Sequence, residues 1–131
     1  AECPDRPFCL VGLEEVYGLT FEHFVAQPSL AFTAEALRRG EIDVGVMFST
    51  SPELDASDLV ELLDDRKLQP PENVVPLIRR AALETWGDTL SPALDAVSVR
   101  LTTNDLRRLN GEVADGAVVA DVARDWLGAT T

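Results

Sequence analysis

Apolar positions recur along this chain with two different periods, and the change from one to the other divides it. Over 10–17, Leu10, Leu13, Val16 and Tyr17 fall at helical spacing, with Gly18 placed as a C-terminal stop. Residues 21–25 are short and alternating, the pattern of a strand. Residues 29–39 predict a second helix with Leu30, Thr33, Ala34 and Leu37 on one side and Gly40 after it. Three more strands are expected. The first, 44–48, reads as buried and delivers Phe48 and the hydroxyls of Ser49, Thr50 and Ser51 to a turn at Pro52. The second is 59–63. The third, 74–78, is reached through the acidic, proline-stiffened stretch DDRKLQPPEN.

From Arg80 onward the pattern is helical throughout, with helices expected over 80–86, 91–99, 102–110 and 118–127. Pro92 follows Ser91 at a first helical position, where its missing N–H costs nothing. Thr102 with Asp105 approximates a capping box, and Gly111 and Gly128 are placed to end the last two helices. The expected fold is therefore α/β with a helical C-terminal region. Strands that alternate with helices call for a parallel sheet of four or more, and only three or four are available. The pattern predicts a part of something larger.

Composition narrows the function classes. The 131 residues give room for one domain, or for two incomplete lobes. Apolar content of 46% and a mean hydropathy of +0.03 are globular values, and no apolar run approaches the ~20 residues of a membrane-spanning helix. AECPDRPFC is not a charged-then-apolar leader, so any signal peptide is expected to have been removed or to lie outside this sequence. A net charge of −12 disfavours nucleic acid, whose phosphates need a basic footprint.

Cys3 and Cys9 are too close for a typical zinc framework, which would also want more Cys or His than the single His23. A disulfide closing a small loop, and with it an oxidising compartment, is the favoured reading; two free thiols in a cytosolic protein is the other.

Enzymatic chemistry finds little support. A Cys3–His23 nucleophile pair would need a free thiol, and there is neither a glycine-rich phosphate loop nor a nucleophile elbow. No cofactor and no metal are expected. Asp64 with Asp65, and Glu61 with Glu72, lack the alternating ligand spacing of a calcium loop and are read as solvated.

Binding chemistry is better served. A strand that ends in hydroxyls at a turn can bond a small molecule without closing the cleft sterically. Phe48 stands at that mouth, where an aromatic face can hold a cation, although it also suits an ordinary core. Arg6, held between Pro4 and Pro7, is a preorganised guanidinium able to grip a carboxylate with two hydrogen bonds. An exposed arginine offsetting the acidic surface is the plainer account of the same residue.

The segments GLEEVYGLTFEHF, FTAEALRRGEIDVGVMFST and LVELLDDRKLQPPENVVPLIRR occur in this order, followed by ALDAVSVRLTTNDLRRLNGEV and VARDWL. Together they resemble the substrate-binding proteins of osmoprotectant ABC importers, which bind glycine betaine, choline, carnitine or proline betaine. The likeness runs through nearly the whole chain.

It implies a two-lobed, type II periplasmic-binding-protein clamshell, of which this chain is similar to the C-terminal half. Residues 1–63 would then belong to the second lobe, 64–79 to the interlobe crossing, and 80–131 to the helical part of the first lobe. The partners implied are a small solute, the membrane subunits of the importer, and a missing N-terminal half or a second copy. The implied location is extracytoplasmic, with a lipid anchor possible in the full-length protein.

By the same resemblance Arg6 falls near an arginine that holds a betaine carboxylate, and Phe48 where a cage tyrosine stands. Ser49 and Thr50 resemble the adjoining hydroxyl turn. Glu72 occupies the place of another cage tyrosine, which departs from a four-tyrosine cage. The alternatives are a dimerising or interaction domain, or a module for a different small molecule.

Overall fold

In the computed structural model the described residues are 3–55 and 58–129, and their regular elements are all helical. A 3-10 turn, Cys3–Asp5, leads into α1 (Leu10–Tyr17) and α2 (Leu30–Arg38), and a second 3-10 turn follows at Pro52–Asp55. The longest helix, α3 (Arg80–Arg100), precedes α4 (Thr103–Ala114) and α5 (Val119–Ala129). The chain forms two compact units, Ala1–Pro71 and Glu72–Thr131.

In the first unit α1 ends where expected, on Gly18 in the left-handed region (φ 71°); its amide donates to the Glu14 carbonyl and the Leu19 amide to that of Leu13. Ser29 caps α2 by accepting the amide of Phe32. The buried residues here are small: Cys9, Gly12, Thr33, Ala34, Ala36 and Ser51. Close approach replaces bulk. A Cβ at Gly45 would lie 2.6 Å from Thr33 Cγ2 and 3.1 Å from Leu37 Cδ1, so the backbone at Gly45 lies directly on α2. α2 also packs on the Pro52–Asp55 turn.

The second unit is held by α4 against α5, with Val122 and Trp126 buried. Thr102 and Asp105 form the full capping box at the start of α4. Three expected breaks are absent. α3 runs unbroken through Pro92, which leaves the Asp88 carbonyl without its i+4 amide but does not stop the helix. α4 passes through Gly111 to Ala114 and α5 through Gly128 to Ala129; the left-handed glycine beyond α4 is Gly116 (φ 99°).

The strands expected at 21–25, 44–48, 59–63 and 74–78 are not formed among the described residues. A helix closes its hydrogen bonds within one segment, whereas a strand exists only with a partner beside it. Each of these segments lacks such a ladder and leaves its apolar side chains in the open, Val60 at 86% and Leu77 at 93% exposure. An α/β sheet is therefore not present in this part of the fold.

Candidate ligand-binding site

The hydroxyl turn forms as a local unit. Phe48 accepts the amide of Ser51 on its carbonyl (2.9 Å), and the Ser51 carbonyl accepts the amide of Leu54 (3.2 Å), which fixes the entry into the Pro52–Asp55 turn. Phe48 is 61% exposed, Ser49 exposed and Thr50 half-buried. Ser51 is 4% exposed, and its hydroxyl makes no hydrogen bond. An aromatic face and small hydroxyls thus share one short turn.

Arg6 lies in the loop closed by the Cys3–Cys9 disulfide, whose Cα atoms are 5.4 Å apart. Its amide donates to the Cys3 carbonyl (3.2 Å), and its own carbonyl accepts from Cys9 (3.0 Å). The backbone under the exposed guanidinium is therefore fixed at both sides. With both cysteines in the disulfide, a thiolate nucleophile is excluded in this state. His23 is exposed beside Glu22 (3.9 Å). Among the residues singled out, Phe48, Ser49 and Thr50 are brought together; Arg6 stands on another segment of the same unit. Glu72, exposed after Pro70–Pro71, opens the second unit.

One polar cluster was not legible as such in the sequence. Asp64 is not a merely solvated acid. Its carboxylate accepts the Tyr17 hydroxyl and the amides of Leu68 (2.9 Å) and Gln69 (2.7 Å). Arg66 donates its amide to the Tyr17 oxygen (2.9 Å) and its guanidinium to the Val16 carbonyl (2.5 Å), with Cζ 5.3 Å from the tyrosine ring centre. Lys67, at φ 56°, makes the turn. The local signal was an aspartate four and five residues ahead of the amides it caps.

These bonds shift both titrations. The Tyr17 hydroxyl, then the Gln69 and Leu68 amides, hold the Asp64 carboxyl below its ordinary range. Partial burial, then the bond to Asp64, pushes the Tyr17 hydroxyl up. A depressed acid stabilises the fold above its unfolded pKa and loses that contribution as pH falls through the folded one. A raised phenol stabilises below its unfolded pKa and loses it as pH rises through the folded value. The thermal midpoint should therefore fall below pH ~4 and again above pH ~10. Asp64→Asn should flatten the acid limb relative to wild type in a melting series followed by circular dichroism.

Among the described residues no three His, Cys, Asp or Glu side chains gather into a metal site, and no helix is long and apolar enough to cross a membrane. Residues 1–129 match the OpuAC family, the substrate binding domain of ABC-type glycine betaine transport system. The chain belongs to this family. No solved structure matches it. At family level, then, this substrate-binding domain has the role of binding a solute for ABC import, and the family fold is the type II periplasmic-binding-protein fold.

Proposed function

We propose that this substrate-binding domain takes a quaternary-ammonium compatible solute, glycine betaine, choline or a close relative, outside the cytoplasm and delivers it to the membrane subunits of an importer. The observation that carries the reading is Phe48, an aromatic ring left 61% exposed beside the Ser49–Thr50 hydroxyls. A trimethylammonium group over such a ring gains cation–π attraction. Arg6 grips the carboxylate at the other end of a betaine. The disulfide supports the oxidising location.

In this reading residues 1–63 serve one lobe, 64–79 the crossing, and 80–131 the other lobe. The solute shifts the population from open to closed. Binding without turnover is the whole of the activity.

Calorimetric titration of the full polypeptide tests the assignment. Phe48→Ala should weaken glycine betaine and choline alike by about 2 kcal/mol, roughly thirtyfold. Arg6→Ala should weaken glycine betaine at least tenfold. It should leave choline, which has no carboxylate, unchanged. Affinities untouched by both substitutions would remove the site.

A second reading, an interaction module, draws on the exposed apolar residues of 44–48, 60–63 and 74–78. Such segments suit pairing with another chain segment or with a second copy. No heat with any solute, together with concentration-dependent sedimentation, would favour it.

A further inference from the structure

Segment 64–69 lies along α1 in the opposite direction, and its contacts pair off in order. Asp64 bonds Tyr17, Arg66 bonds Val16, Leu68 meets Gly12, and the Gln69 side-chain amide donates to the Phe8 carbonyl. The Asp64 end rests on the C-terminal turn of α1. The Gln69 end rests on the loop that the disulfide closes.

That loop is only Cys3 to Cys9, and it carries both carbonyls used at this end: Phe8 accepts Gln69, and Pro7 presses on Gly12 beside Leu68. Pro70 and Pro71 follow at once and end the first unit. The backbone leaving for Glu72 therefore starts from a point fixed through the disulfide loop.

We propose that the Cys3–Cys9 disulfide is a redox-sensitive latch, which holds the Leu68–Gln69 end of segment 64–69 on the first unit when oxidised and releases it when reduced. A dithiol reductant supplies two electrons and two protons. The Cys3–Cys9 sulfur bond breaks, two thiols form, and the reductant closes its own disulfide. The seven-residue loop then regains its backbone freedom, and the Phe8 carbonyl no longer waits in register for Gln69. The Asp64–Tyr17 bond lies outside the loop and stays in place, so the opening is local and frees the backbone from the Arg66–Lys67 bond onward. The latch does not depend on any solute being bound, and it rests on the first unit alone.

Limited trypsin digestion of the full polypeptide reads this directly, with Arg66 and Lys67 as the reporting bonds and Arg38–Arg39 at the end of α2 as reference. Reduction should speed cleavage after Arg66 and Lys67 about tenfold and leave the reference rate unchanged. Gln69→Leu, with the disulfide intact, should raise the same two rates in the oxidised protein.

Equal rates for oxidised and reduced chains would overturn the proposal. So would equal acceleration at all sites, which is the mark of general unfolding. Because no solute enters the assay, failure of solute binding and failure of the latch are separate results.

Discussion

Gly12→Ala should cost about 3 kcal/mol of stability, the upper range for forcing one carbon into a filled site. A Cβ there would sit 1.9 Å from the Pro7 carbonyl oxygen and 2.5 Å from Leu68 Cδ1. Leu68 can rotate away. The carbonyl cannot, because it belongs to the backbone between the paired cysteines. Adding Leu68→Ala should therefore recover little. Gly87→Ala provides the control: its Cβ would meet only the Leu83 side chain, at 3.6 Å and 3.8 Å, on a helix where alanine gains about 0.5–1 kcal/mol over glycine. Urea unfolding followed by far-ultraviolet circular dichroism should move in opposite directions for the two. Equal midpoints would mean the loop yields more easily than its covalent closure implies.

The second large effect is expected at Trp126. It is 8% exposed on α5, one turn after the buried Val122, and its indole hydrogen-bonds Asp105 in the capping box of α4. The Arg100 guanidinium at the end of α3 lies 5.3 Å from its ring centre. One side chain thus ties three helices of the second unit. Trp126→Ala should cost about 3 kcal/mol and loosen α4 from α5. Trp126→Phe should recover most of the packing but not the bond to Asp105, whose carboxyl, held down first by Thr102 and then by Trp126, should rise slightly toward its ordinary range. Fluorescence isolates the change, because Trp86, the other tryptophan, is exposed.

Local interactions made part of this structure legible in advance. α1 and α2 follow from apolar spacing with Gly18 and Ser29 at their ends, and Thr102 and Asp105 announce the start of α4 within four residues. Glycine was a poorer guide where helices had other reasons to continue. α4 crosses Gly111 and runs on to Ala114, and the positive φ falls on Gly116 instead.

Strands were illegible for a different reason. Periodicity over 44–48 or 74–78 reports a preference, and the ladder that fulfils it requires a neighbour that the segment does not contain. At the site, the turn from Phe48 to Ser51 could be read because its bonds are three residues apart. The Tyr17–Asp64 bond spans 47 positions and leaves no local trace.

Pro76 interrupts the apolar stretch 74–78 at its centre, where every other side chain is apolar and Leu77 is almost fully exposed. A residue with no amide hydrogen cannot accept registry with an identical strand, so this tract is a poor template for cross-β growth. Glu61 interrupts 59–63 in the same way, by charge. With −12 on every copy, like charges in a stacked fibril would add to the penalty. Sticky segments are thereby kept available for a correct partner while self-templating is discouraged, the behaviour of a gatekeeper residue.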